Sequence, residues 1–225
     1  MNFLSEWASG IDLDWLIQKL CVVVAAVIAL TVHESAHGLV AYRLGDDTAK
    51  RMGRISLNPL RHIDWVGLAM MIVAGFGWAK PVPINMQRFK NPKTGMAISA
   101  AAGPISNVLL ALLSTVFYHL CFRAYCASFS DVWYYLSLFF LIAQAVNAGL
   151  AVFNLIPIPP LDGSKVLAIF LPDKAHDFLM QYERYGFTVL AALLFFGVLD
   201  TPLVFLQKGL ISGLESFVSS LLPLM

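Results

Sequence analysis

Apolar residues gather into long runs along this chain: Trp15 to Leu44, Met96 to Phe122, Val132 to Ile156, and Tyr185 to Leu199 with a continuation toward Leu206. Read as helices rising about 1.5 Å per residue, these are membrane spans, and the first comfortably crosses a hydrocarbon core of roughly 30 Å. Residues 53–84 differ. Two short β-type pieces, Arg54 to Leu57 and Val82 to Ile84, flank an apolar run from Trp65 to Ala79. As a helix that run reaches only about 22 Å, and Gly75, Gly77, Pro81 and Pro83 interrupt its end. A re-entrant or interfacial hairpin is expected. Non-helical backbone at membrane depth must be satisfied by protein or by a wet cavity, so a cavity is expected beside it. In the tail, Leu210, Leu214, Phe217 and Leu221 share one helical face opposite Lys208, Ser212, Glu215 and Ser219, the pattern of an interfacial amphipathic helix. The expected fold is therefore an all-α polytopic membrane protein: about four transmembrane helices, a membrane-associated re-entrant or β-hairpin segment and a C-terminal amphipathic helix. The chain shows no internal repeat and reads as one domain over residues 1–225.

Composition agrees. Of 225 residues, 59% are hydrophobic and 13% charged, with mean hydropathy +0.73, far from the roughly 25% charged residues of a soluble domain. A net charge of +1 gives no global attraction to nucleic acid. The distribution of charge is more informative. Nine of the fifteen basic residues (Arg43, Lys50, Arg51, Arg54, Arg61, Lys80, Arg88, Lys90 and Lys93) lie between the first two spans. The positive-inside rule places that connection in the cytoplasm, the N-terminus outside and the loop with Lys165 and Lys174 inside, in a cell (inner) membrane. Glu6, Asp12 and Asp14 take the place of a basic n-region, so the first run is expected to be retained rather than cleaved. Cys21, Cys121 and Cys126 form no paired C-x-x-C clusters. They read as packing residues, with a Cys121 to Cys126 bridge as the alternative.

The first run carries "HESAH", residues 33–37. His33 and His37, four apart, project from one helical face and can share a metal ion. This is H-E-x-x-H, in which two imidazoles hold zinc and the glutamate, here Glu34, acts on the water at the metal. The competing reading is a set of interhelical hydrogen bonds. A catalytic zinc needs a third protein ligand, and the candidate is Asp162 in "FNLIPIPPLDGSKV", residues 153–166. Pro157, Pro159 and Pro160 must end or open the third span there, presenting Asp162 on the same side as the two histidines. Otherwise Asp162 is the N-cap of a cytoplasmic helix. His62 and His119 are rival ligands, placed respectively in the connecting loop and near the opposite face. Asn107 and Asn147, in apolar spans, either donate to a substrate carbonyl or bond helix to helix. Ser99 through Gly103 are small residues that permit close helix approach.

H-E-S-A-H in the first span, followed by N-L-I-P-I-P-P-L-D-G at Asn154 to Gly163, resembles the site-2 protease family of intramembrane zinc metalloproteases. The "GRISLNP" and "AGPISN" segments resemble its small bacterial and archaeal members, and the likeness covers roughly residues 20–170. It implies one zinc held by His33, His37 and Asp162, with Glu34 as general base and Asn154 contacting the substrate backbone or oxyanion. The catalytic core is then about residues 16–170, followed by an extra span and interfacial helix over about 183–225. Trp65 follows "HID" where such proteins commonly have proline, and no PDZ or CBS segment is inserted. The implied activity is peptide hydrolysis within or near transmembrane segments of membrane protein substrates. The alternative is a metal transporter, disfavoured because one dense ligand set sits beside a catalytic-type glutamate and no repeated pair of broken helices accompanies it. A silent binding scaffold is the third class. The short strands of residues 53–84 are expected either to pair with an extended substrate by β-augmentation or merely to plug the site.

Overall fold

The computed structural model describes residues 13–74 and 77–221. The acidic Glu6 and Asp12 and the interrupting Gly75 lie outside the described residues. Helix α1 (Leu13–Arg43) has Asp14 in its first turn and Arg43 in its last, both favourable to the helix dipole. A one-turn helix α2 (Thr48–Arg51) and a 3₁₀ turn (Pro59–Arg61) lead to α3 (Trp65–Ala74). After a second 3₁₀ turn (Met86–Arg88), α4 (Pro92–Ser128) starts with Pro92 in its first turn, and its N-cap Asn91 accepts from the Thr94 N–H. Then come α5 (Asp131–Asn154), α6 (Asp162–Ala168), α7 (Asp173–Phe195) and α8 (Asp200–Leu221).

Helices α1, α4 and α5 are each long and apolar enough to cross a membrane. They form the core, with α4 against α5 as the most extensive pair and α1 packed on both. Their contacts are built from small side chains: Ala29 and Ala41 of α1, Ala111 of α4, and Ala148 and Ala151 of α5 are fully buried. Lipid offers no hydrophobic drive between helices, so close backbone approach through such residues supplies the packing. Larger apolar side chains such as Leu20, Leu109 and Leu113 point outward.

Three expectations are corrected. The fourth span is not one helix: α7 and α8 meet at 88°, because Gly197 adopts φ +68° and ends α7 while Asp200 begins the next helix. No strands form among the described residues at Arg54 to Leu57 or Val82 to Ile84. Pro81 and Pro83 have no N–H for a ladder, and the Val82 N–H goes to Glu34. The hairpin closes instead through one antiparallel bridge, Ile63 with Ala79. The tail pattern misplaces Glu215 of α8. This helix packs on α4 and α5, with Phe217 and Leu221 exposed and Val218 buried. Glu215, expected on the wet face, turns inward to His119 Nε2 and the Gln144 amide, both 2.7 Å away. All three cysteines are free, so no Cys121 to Cys126 bridge exists.

Candidate metal centre

The helical spacing in α1 brings the His33 and His37 rings together edge to face, with centroids 4.6 Å apart. Both are buried. Their outer nitrogens are held by α4: His33 Nδ1 lies 2.5 Å from Asn107 Oδ1, and His37 Nδ1 lies 2.8 Å from the Ser99 carbonyl. Both partners only accept, so each Nδ1 carries the proton and each Nε2 presents a lone pair. Those two Nε2 atoms are 3.0 Å apart. Asp162 Oδ2 stands 3.2 Å from each.

Three acceptor atoms so disposed repel one another unless a cation lies among them. The edges match the donor set of a tetrahedral ion: bonds of about 2.0–2.1 Å give ligand-to-ligand edges of about 3.3 Å. Space for the ion comes from Gly103 of α4, where a Cβ would collide with both Nε2 atoms. His33, His37 and Asp162 therefore can hold a divalent metal through three protein atoms. Among the described residues they form the one such group of histidine, cysteine and carboxylate side chains.

Asp162 reaches the histidines because Pro157, Pro159 and Pro160 stop α5 from continuing past Asn154. It is the first residue of α6, whose N-cap is Leu161, so the N-cap alternative for Asp162 does not hold. Glu34 is half-buried beside the cluster, and its Oε2 accepts the Val82 N–H at 2.7 Å. Glu34, Val82, Asn154 and the three cluster residues line an open pocket of about 190 Å³. This is the cavity expected beside the hairpin.

The asparagines separate. Asn154 stands on the pocket wall, donating one amide proton to the Leu150 carbonyl. Asn107 and Asn147 are buried behind His33 and are not part of the pocket lining. Asn107 Nδ2 donates to Asn147 Oδ1 at 3.0 Å, and Asn147 Nδ2 to the Ala143 carbonyl at 2.9 Å. The first bond joins α4 to α5 behind the His33 ring, and the second lies within α5 and holds the Asn147 amide in place. His62 and His119 stay out of the cluster: His62 Nε2 lies 2.8 Å from the Ser56 carbonyl, and His119 pairs with Glu215. Sequence reasoning assigned the 99–103 stretch to packing and missed its contact with the histidines. A proline inside the run was the available signal, since Pro104 has no N–H for the Ala100 carbonyl and loosens α4 one residue from Ser99.

Comparison with known proteins converges on the same chemistry. The family model "Peptidase family M50" matches residues 126–197. The chain is 41% identical over 174 residues to "Putative zinc metalloprotease YwhC" of Bacillus subtilis, covering 76% of this chain and 78% of that protein. It is 28% identical over 183 residues to "Putative zinc metalloprotease Rip2" of Mycolicibacterium smegmatis, covering 78% of this chain and 66% of the relative. The Mycobacterium tuberculosis (strain H37Rv) protein of that name is 27% identical over 176 residues, 76% of this chain and 65% of its own. The match thus spans just under two thirds of the Rip2 proteins. No solved structure matches significantly. With a relative this similar over most of both lengths, the chain belongs to peptidase family M50, the site-2 protease family of membrane metalloproteases.

Proposed function

We propose that this protein is an intramembrane zinc endopeptidase in which His33, His37 and Asp162 hold one zinc ion and Glu34 is the general base. The observation that carries the reading is the triangle of acceptor atoms, with edges of 3.0, 3.2 and 3.2 Å, beside a glutamate in an open pocket. When bound, zinc supplies a Lewis acid that polarises the scissile carbonyl and makes water acidic enough to lose a proton near neutral pH. Asn107 and the Ser99 carbonyl keep the two rings in the tautomer that presents Nε2. Glu34, oriented by the Val82 N–H, takes the proton of the attacking water and delivers it to the leaving nitrogen. Asn154 meets the substrate backbone from the pocket wall.

The substrate class is a transmembrane segment, opened locally so that a peptide bond can enter. The extended run around Val82 lies against the pocket and offers it backbone to follow. The Val82 N–H stays on Glu34, so pairing there uses the other backbone groups of that run. Metal transport is the weaker reading, because a conduction path needs successive sites and the described residues hold one cluster.

Glu34→Gln is the discriminating variant. Gln is nearly isosteric and leaves the three ligands untouched, so zinc content should stay near one per chain while cleavage of a single-span substrate in liposomes falls about 10²–10⁴-fold. Cleavage by this variant at the wild-type rate would remove Glu34 from the chemistry. A purified wild type without zinc would remove the metal.

A further inference from the structure

An open pocket of about 760 Å³ is lined by Arg51, Arg54, Arg61, Lys80, Asp64 and Trp65 among others, and Lys80 directly precedes Pro81 and Val82 of the metal-centre pocket. Its charges are unequally used. Arg51 Nη2 pairs with Asp47 Oδ2 at 2.5 Å. Asp64 Oδ1 accepts the N–H groups of Val66 and Gly67 and so serves its own helix. Arg54 is only 8% exposed. Its Nη2 donates to the carbonyls of Lys80 and Pro81 and its Nε has no partner. Among the described residues no carboxylate pairs with Arg54, Arg61 or Lys80.

A buried guanidinium without a counter-charge is costly, and carbonyl dipoles do not neutralise it. The pocket therefore favours an anion. The lining shows where that anion comes from: its apolar members Met52, Leu60 and Trp65 are between 63% and 69% exposed. Apolar side chains crowded around a basic pocket, with a tryptophan among them, suit the boundary between headgroups and acyl chains. We propose that this pocket binds the phosphate headgroup of an anionic phospholipid, with Arg61 and Lys80 meeting the phosphate, Arg54 supplying buried positive charge and the apolar rim meeting the acyl chains. Because Arg54 holds Lys80 and Pro81 while the next N–H holds Glu34, a headgroup on Lys80 ties the backbone beside the metal centre to the membrane surface. The binding itself does not depend on the peptidase reading.

The test uses the full chain in nanodiscs containing equal phosphatidylglycerol and phosphatidylcholine, which share the phosphodiester but differ in net charge. Lipids retained after release are read by native mass spectrometry. Wild type should retain phosphatidylglycerol about tenfold over phosphatidylcholine, since each basic residue near an anionic surface contributes on the order of fivefold and screening takes part of it back. Arg61→Gln with Lys80→Gln should bring the ratio close to one. Arg61→Lys with Lys80→Arg should preserve it, as should Lys208→Gln on α8. If the double glutamine variant does not fold by circular dichroism, Lys80→Gln alone, at an exposed position, should lower the ratio several-fold. Equal retention of the two lipids by wild type, or an unchanged ratio in the folded glutamine variant, overturns the proposal. So does inorganic phosphate that binds lipid-free protein in detergent with the same Arg61 and Lys80 dependence and displaces phosphatidylglycerol, because the ligand would then be soluble phosphate.

Discussion

Asn107 shows how much a single buried amide decides. Its Oδ1 receives the His33 Nδ1 proton, while its Nδ2 is anchored by Asn147 Oδ1 on the neighbouring helix. The amide cannot flip without setting like against like on both sides, so the His33 tautomer is imposed by two helices together. Asn107→Leu removes the acceptor and lets the ring turn or exchange its proton. Zinc affinity, measured by competition with a chelator, should fall about 10–100-fold, while Asn107→Asp, which still accepts, should recover most of it. An Asn107→Leu protein with wild-type affinity would show that the Nδ1 bond does not tune the ligand. The same reasoning separates Asn154, which faces the pocket, from the two asparagines that do not.

At the scale of elements, the turn after α1 is what secures the backbone over the metal centre. Asp46 has no exposed surface. Its Oδ1 accepts the Thr48 N–H at 3.0 Å and its Oδ2 the Asn85 N–H at 2.6 Å, so it joins the end of α1 to the return of the hairpin. Burial alone would raise the Asp46 carboxyl, but these hydrogen bonds and the Arg88 charge outweigh it and hold the group below the usual carboxylate range. A depressed carboxyl contributes stability above its unfolded pKa and loses it as pH falls through the folded value. Asp46→Ala should therefore cost about 1–3 kcal/mol at neutral pH by leaving buried donors unmet. Below about pH 4 the gap to wild type should narrow, since wild type loses the same interaction there. Thermal unfolding of both proteins in detergent across that range checks it, and a gap that widens toward low pH would contradict the assignment.

For the molecule as a whole, three long apolar helices pack around a cluster of polar side chains that opens into a pocket. Glu34 lies nine residues before Arg43 on α1, about 14 Å along the axis from that basic end. With nine basic residues over positions 43–93, from the end of α1 to the start of α4, the positive-inside rule predicts that this stretch, the α6 loop and the mouth of the pocket face the cytoplasm. A single cysteine at Lys90 should resist an impermeant thiol reagent added outside intact cells and react once the membrane is opened. Labelling from outside would turn the molecule over and move the site to the other face.

The three spans, the H-E-x-x-H face of α1 and the proline stop before Asp162 were legible in the chain because each rests on local chemistry: apolar length, 3.6-residue periodicity and the missing N–H of proline. The break of the fourth run was legible too, in a glycine at residue 197 followed by Asp200 and Pro202, but apolar continuity masked it. What depended on packing was left to the tertiary structure. That Asn107, Ser99 and Gly103 belong to the metal centre depends on α4 lying against α1, a contact separated by more than sixty residues. That residues 82–84 form no strand depends on Glu34 taking the Val82 N–H. That Glu215 faces inward depends on His119 and Gln144 having a carboxylate to meet. In each case a polar group chose its partner from another helix, and hydropathy along one chain carries no record of which partner that is.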